Sequence, residues 1–150
     1  MVQITRIYTT EDGESHFDEL IEDGVEFRNH VSYSRAIGAY GLAFRQTGVQ
    51  REDESDLGDW HVAPRRQYVL FMKGRTQIEV SDGEKRLLSS GDVLLVEDTF
   101  GKGHRNRRLS REPQLWACVR AHGEEERANG WLALRGRTGT AHSPPVRTAG

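Results

Sequence analysis

The sequence predicts an all-β protein built as one antiparallel sandwich or barrel. Its strand-like runs, about five to eight residues long, follow one another with no helical pattern between them. The segments that separate the runs are rich in Gly, Ser and Asp, which is the chemistry of tight turns. Sixteen glycines with only 35% hydrophobic residues also suit a turn-rich β protein better than a helical bundle.

Composition limits the chain to one domain and to few classes of partner. A length of 150 residues suffices for one domain with its own core. The 21 basic and 23 acidic side chains nearly cancel, which argues against binding to nucleic acid or to an anionic membrane. Since no apolar stretch is long enough to span a bilayer and the N-terminus lacks a signal-peptide core, we expect a cytoplasmic protein.

The N-terminal part of the chain alternates between strand-like and polar segments. Residues 2–8, VQITRIY, alternate apolar and polar side chains, as a half-buried strand does. The polar segment 9–24 leaves a helical turn and a strand lying across a sheet equally open. Residues 41–48 predict a short strand, and residues 49–59 predict an exposed, charged loop.

Four strand-like runs then follow in close succession. They cover residues 66–74, 75–83, 84–98 and 103–121, and the separators KGR, SDGE, SSGD and SREP have the composition of hairpins and turns. The single cysteine, Cys118, lies inside the apolar run LWACV, so we expect a small buried side chain and no disulfide.

The pattern weakens beyond Ala121. The run WLALR predicts at most one further strand, and the remainder of the C-terminal extension predicts a partly flexible tail. We therefore divide the chain into 1–39, an N-terminal strand and connecting segment packed on the barrel, 40–121, the barrel core, and 122–150, the extension. His122 and His142 fall in this last part and are poor candidates for chemistry.

The stretch WHVAPRRQYVLFMKG and the later segment GDVLLVEDTFGKGH together resemble the two motifs of a small single-domain cupin. The first cupin motif, G-x5-H-x-H-x(3 or 4)-E-x6-G, aligns its closing glycine on Gly74 and its first histidine on His61. The second motif, G-x5-P-x-G-x2-H-x3-N, opens at Gly91 and closes on His104. The resemblance covers roughly residues 40–120 and implies a jelly-roll β-barrel that assembles as a homodimer.

The motifs also depart from the family pattern at ligand positions. Ala63 stands where the second histidine is expected, Gln67 replaces the glutamate, and Glu97 stands in place of the usual proline. His104 follows Gly91 by thirteen residues where the family pattern has eleven. The resemblance therefore implies the fold more firmly than the metal chemistry of the family.

Strand alternation predicts which side chains share the barrel cavity. Five residues have the same parity and are expected to face one hollow: His61, Ala63, Gln67, Val69 and Phe71. The loop before His104 is expected to bring a second imidazole to the same level, with Trp60 and Trp116 as further walls that contact substrate.

Two kinds of chemistry fit two imidazoles and one amide. In the first, His61 and His104 act as general acid and base, Gln67 stabilises an enolate, and Glu97 is a fourth catalytic candidate. In the second, His61, Gln67 and His104 hold a divalent transition metal (Fe, Mn, Zn or Ni) weakly, with His16 or Glu97 as an extra ligand.

The function expected is that of an enzyme converting a small organic molecule by proton transfer, of isomerase, cyclase or lyase type. Arg65, one of several basic residues near the expected mouth, is the candidate for clamping a substrate carboxylate. Asp98 is expected to hydrogen-bond backbone in its loop. A metal-dependent dioxygenase, isomerase or lyase and a non-catalytic module that binds or senses a small ligand remain as alternatives.

Overall fold

A computed structural model describes residues 1–122, and the regular elements within them are β-strands. The strands are β1 (Val2–Thr9), β2 (Ser15–Glu22), β3 (Gly24–Arg28), β4 (Val31–Ser34), β5 (Ala39–Gln46), β6 (Gln67–Lys73), β7 (Arg75–Val80), β8 (Lys85–Ser89), β9 (Val93–Val96), β10 (His104–Arg108) and β11 (Leu115–Ala121). Across residues 1–122, no helix has the length and apolarity that crossing a bilayer requires. The all-β expectation is confirmed.

Two sheets face each other. The larger has the strand order β2-β1-β9-β6-β11-β5, the smaller has the order β10-β7-β8, and β3 and β4 form a separate hairpin. Neighbouring strands run antiparallel except for β1 and β9, which pair in parallel. This arrangement of two packed sheets is the jelly-roll expected from the motif resemblance.

The main core lies between the two sheets. Both contribute buried side chains, among them Ile7, Phe71 and Leu94 from the larger sheet and Ile78 and Val80 from the smaller one. Burying each such side chain stabilises the fold by about 1.5–3 kcal/mol. A second, smaller apolar cluster lies on the outer face of the larger sheet: Ile4, Tyr68, Leu95 and Ala121.

The turns between the central strands differ from one another. The SDGE segment is a true hairpin, because it joins β7 to its antiparallel neighbour β8. KGR and SSGD instead carry the chain from one sheet to the other, since β6 and β9 belong to the larger sheet and β7 and β8 to the smaller. Gly74, with a φ of 103°, makes the first of these corners.

The segment 9–24, which the sequence left open, contains strand β2 at the edge of the larger sheet. The charged loop at 49–59 is confirmed as largely irregular and exposed. Strands β3 and β4 were not anticipated, because every residue in them is exposed and a solvated hairpin has no apolar face to set a period. WLALR, the tail and His142 lie outside the described residues.

Candidate active site in the barrel cavity

A cavity of about 440 Å³ lies between the two sheets. Its walls combine apolar and polar side chains, and the polar ones come from the ends of strands in the larger sheet, from the segment before β6 and from the smaller sheet. Its lining includes His61, Gln67, His104, Asn106, Arg45 and Trp116. A cavity of this size, with a few convergent polar groups, suits a small organic ligand.

Strand alternation places the predicted set on one side of β6 and the segment before it. His61, Ala63, Gln67, Val69 and Phe71 all line the cavity. The ladder continues across the sheet, with Phe71 opposite Trp116 and Val69 opposite both Cys118 and Leu94. Phe71 and Trp116 meet edge to face, with their ring centroids 6.3 Å apart.

The two motif histidines are adjacent. Their backbones form an isolated antiparallel bridge with two hydrogen bonds of 2.9 Å, one in each direction. Their ring centroids are 4.5 Å apart and the ring planes meet at 60°. His104 is buried at 6% exposure, whereas His61 is exposed and so lies at the solvent side of the pair.

One nitrogen of each ring is held by a neighbour. His61 Nδ1 donates to the carbonyl oxygen of Asp59 at 2.9 Å, because a carbonyl can only accept. His104 Nδ1 donates to Oδ2 of Asp98 at 2.6 Å, and this carboxylate is fully buried. In both rings Nε2 is therefore the nitrogen left for chemistry.

The loop that delivers His104 depends on close backbone approaches. Gly103, with a φ of 70°, packs on the backbone of His61 so closely that a Cβ there would lie 2.0 Å from the carbonyl oxygen of His61. Gly101 packs in the same way on Gly13, in the turn between β1 and β2. Gly103 thus allows the close approach of the two histidine backbones, and Gly101 allows that of the loop to the β1–β2 turn.

The donor set does not fit a strong transition-metal site. Within residues 1–122 no group of three His, Cys, Asp or Glu side chains is placed to hold a metal ion. His61, His104 and the amide of Gln67 share the cavity, but amide oxygen is a weak ligand where zinc and iron sites muster three firm ones. The carboxylate nearest to the pair, Asp98, is bound to His104 Nδ1 and does not line the cavity.

Glu97 is placed away from the cavity, contrary to its assignment as a catalytic or metal-ligating residue. Because Leu94 and Val96 face the cavity, Leu95 and Glu97 face the opposite side of the sheet. There Glu97 pairs with Arg66 at 3.2 Å, and both side chains are buried. The same alternation turns Asp98 toward His104, whose Nδ1 it binds, so the expectation that the Asp98 side chain hydrogen-bonds backbone in its loop is wrong.

Three other sequence candidates also lie outside the cavity lining. Arg65 has the same parity as Gln67, but it lies in the bend before β6, where strand alternation does not apply, and its side chain is exposed and does not line the cavity. Trp60 is 42% exposed and stacks beneath the guanidinium of Arg105, 4.9 Å from the ring centroid. His16 is hydrogen-bonded to Asp82 at 2.8 Å, in the loop region beside β7 and β8.

Two cavity residues escaped sequence reasoning. Arg45, at the end of β5, lies opposite Trp116 and lines the cavity. Asn106, on β10, also lines it, and its Oδ1 is buried with no hydrogen-bond partner among residues 1–122. Asn106 follows His104 by two positions, so strand alternation places both on the same face of β10. Arg45 could not be found in this way, because every residue of β5 is exposed and the strand shows no apolar alternation.

Cys118 is buried in the cavity wall, as the sequence predicts. Burial raises the pKa of the Cys118 thiol, and the positive charge of Arg45 partly opposes this shift. The thiol is therefore protonated at neutral pH and is a poor nucleophile.

No protein-family model and no curated protein matches the chain. Among solved structures, a Neisseria meningitidis protein (NMB1881) is 16% identical with a TM-score of 0.40, over 57% of this chain and 79% of its own. A cupin-like protein from Thermotoga maritima is 14% identical with a TM-score of 0.36, over 69% and 81%. The cupin domain of a transcriptional regulator from Enterobacter cloacae is 12% identical with a TM-score of 0.32, over 83% and 100%.

With TM-scores this low, these likenesses bear on neither activity nor ligand. The description of the fold rests on the chain itself, in which two sheets face each other and both motif histidines line one cavity. The described chain has an all-β jelly-roll fold, with the two histidines of the cupin-like motifs on its cavity.

Proposed function

We propose that the protein is an enzyme that moves a proton on a small organic molecule bound in the barrel cavity, as an isomerase, cyclase or lyase. The observation that supports this most is the His61–His104 pair, with His104 held on one nitrogen by a buried carboxylate. Two imidazoles at this separation offer one general acid and one general base to the same ligand.

Asp98 acts in this proposal as a positioning residue. By accepting the Nδ1 proton of His104 it fixes the tautomer in which Nε2 carries a lone pair. It also stabilises the imidazolium that forms when Nε2 takes a proton from the substrate, since the buried carboxylate lies 2.6 Å away. The counter-charge of the His104 imidazolium is therefore the carboxylate of Asp98, which does not itself line the cavity.

Gln67 and His61 complete the proposed reaction. Proton abstraction next to a carbonyl leaves negative charge on oxygen, and the amide N–H of Gln67 is a donor able to stabilise it. His61, at the solvent side of the pair, returns a proton to the other end of the enolate and exchanges with bulk water. The substrate ends with a shifted double bond, a closed ring or an eliminated group.

Deuterium exchange tests this proposal without knowledge of the product. The full chain, with chelator present, would be incubated in D₂O with a panel of small keto acids and hydroxy ketones, and loss of C–H signals would be followed by NMR. We expect exchange with at least one compound, its loss in His104→Ala, and a decrease of about 10²- to 10⁴-fold in Asp98→Asn. Exchange no faster than in buffer, or unaffected by His104→Ala, would refute proton transfer at this site.

A non-catalytic binding module is the second candidate, favoured by the cavity's combination of apolar walls with a few polar groups, which is typical of small-ligand sites in general. In the same experiment such a protein would bind a member of the panel and leave its C–H signals unchanged. Activity that disappears with chelator, together with stoichiometric metal in the untagged protein, would instead support the metal-dependent alternative.

We also propose a homodimer formed through the outer face of the larger sheet. On this face Leu42 and Phe44 of edge strand β5 are 60% and 64% exposed, and Leu70 and Met72 of β6 are 37% and 50% exposed on the other side of β11, whose small Ala117 lies between Phe44 and Leu70. So much adjacent exposed apolar surface is typical of an interface. Light scattering after size exclusion should give twice 17.0 kDa, and Phe44→Glu should give a folded monomer; a monomeric wild type would refute the proposal. We also propose that the protein is located in the cytoplasm.

A further inference from the structure

Two cavity residues outside the histidine pair, Arg45 and Asn106, indicate the chemistry of the ligand. Among the cavity-lining residues within 1–122, Arg45 is the only one with a permanent charge, and none is acidic. Arg45 has no acidic partner in this part of the chain. Arg45 is itself exposed, so it lies where the cavity opens to solvent. An arginine at this position without a carboxylate to pair with favours an anionic ligand, because a bidentate carboxylate matches its two N–H groups.

The strand register gives the position of Arg45 relative to the proposed reacting groups. Arg45 lies opposite Trp116, which lies opposite Phe71, so these three side chains form one row across the sheet. Gln67 lies four residues before Phe71 on the same strand, about 13 Å along it at the usual rise per residue. The anionic end of a ligand at Arg45 would therefore lie far from the end that reaches Gln67.

Asn106 provides a second contact along this length. Its Oδ1 is buried in the cavity wall with no partner among the described residues, and a buried acceptor left unpaired costs about 1–3 kcal/mol. A hydroxyl or amine of a ligand would donate to it. Asn106 is two residues beyond His104 on β10, opposite Ile78 of β7, so it lies next to the imidazole pair along the smaller sheet.

Resting on the proposed function for the location of the chemistry, we infer that the substrate class is a small carboxylic acid with an apolar or aromatic body and a hydroxyl or amine donor. Arg45 binds the carboxylate, Phe71 and Trp116 cover the body, and Asn106 accepts from the donor. The carbon that exchanges a proton is the part that reaches His61 and His104.

Three matched probes test the inference by equilibrium binding. They are 3-(4-hydroxyphenyl)propanoate, its primary amide, which lacks the charge, and 3-phenylpropanoate, which lacks the hydroxyl. Isothermal titration calorimetry on the full chain would give the affinities. We expect the hydroxy acid to bind more tightly than its amide by roughly 10- to 100-fold, and more tightly than 3-phenylpropanoate by about tenfold.

The variants identify the residues. Arg45→Gln should remove the preference for acid over amide, and Asn106→Leu should remove the preference for the hydroxyl. Arg65→Gln, which changes an exposed arginine outside the cavity, should leave all three affinities unchanged. Equal binding of acid and amide, no binding of the acid at millimolar concentration, or an unaltered preference in Arg45→Gln would overturn the inference. Because no turnover is measured, failure of the proton-transfer experiment would leave these results unaffected.

Discussion

Replacing Gly103 by alanine tests the contact on which the histidine pair depends. The added Cβ would lie 2.0 Å from the carbonyl oxygen of His61, 2.4 Å from its carbonyl carbon and 2.8 Å from the backbone nitrogen of Val62. All three are backbone atoms, so a change of rotamer cannot relieve the overlap. The two chain segments must move apart by more than about 1 Å to reach an ordinary carbon–oxygen contact.

The expected cost comes from two sources. A φ of 70° costs a non-glycine residue about 1–2 kcal/mol. Separation of the segments lengthens both backbone hydrogen bonds between His61 and His104, each now 2.9 Å, and each contributes about 0.5–1.5 kcal/mol. We therefore expect Gly103→Ala to lower the free energy of unfolding by about 2–5 kcal/mol.

Two other glycines provide matched controls. Gly83 has a φ of 97° but nothing within 4 Å of an added Cβ, so Gly83→Ala isolates the backbone strain, about 1–2 kcal/mol. Gly48 has open space and no left-handed conformation, so Gly48→Ala should stay within about 0.5 kcal/mol of wild type.

Urea unfolding followed by tryptophan fluorescence would give all three free energies. If Gly103→Ala costs no more than Gly83→Ala, the segments at 61 and 103 are not in contact. The geometry of the histidine pair would then be wrong.

Three further predictions concern the buried cysteine in the cavity wall, the buried ion pair on the outer face of the larger sheet, and the dependence of stability on acidic pH. Cys118 should react with a thiol reagent far more slowly in the native protein than in guanidinium, because burial raises the pKa of its thiol, and equal rates would contradict its buried position. Glu97→Gln should destabilise the fold by about 3 kcal/mol, since it leaves the Arg66 guanidinium buried without its counter-charge; a change in deuterium exchange without a change in stability would instead restore Glu97 as a catalytic candidate. The backbone N–H of Glu84, assisted by His16 against the effect of burial, holds the pKa of Asp82 below its ordinary value. Because the folded-state pKa of Asp82 is lowered, its ionised carboxylate stabilises the fold at pH values above the unfolded-state pKa of about 4, and this stabilisation is lost as the pH falls below that value. The free energy of unfolding of Asp82→Asn should therefore depend less steeply on pH in this acidic range than that of the wild type.

Alternation along single strands was enough to predict much of the site. Parity from His61 to Phe71 placed five side chains on the cavity correctly, even though Pro64 interrupts the strand between them. The same rule, applied to Val93–Val96, would have turned Asp98 inward and Glu97 outward. Alternation indicates from the sequence that Glu97 and Asp98 face opposite sides, but which of the two faces the cavity was left open, and Glu97 was kept as a candidate.

What the sequence could not supply was the meeting of distant strands. Arg45 enters the cavity because β5 pairs with β11 on the side away from β6, a neighbour relation that no local pattern encodes. For Trp60, by contrast, the local pattern already indicated that the side chain does not line the cavity. Its ring turned to solvent to stack beneath Arg105, since the parity of His61 leaves the preceding side chain facing outward.

The departures from the cupin motifs together change the ligands and the charge that face the cavity. A strong transition-metal site needs about three firm ligands facing the cavity, and Ala63 and Gln67 stand where the cupin motif has a histidine and a glutamate. The carboxylate nearest to the histidine pair, Asp98, lies behind His104 on Nδ1, where it supports a base and cannot also face a ligand. The cavity that remains contains an arginine and no acid, so its field favours an anionic organic ligand over a cation. Restoring a carboxylate with Gln67→Glu would therefore oppose the binding of an acid, and in the same experiment would raise the affinity for a divalent cation.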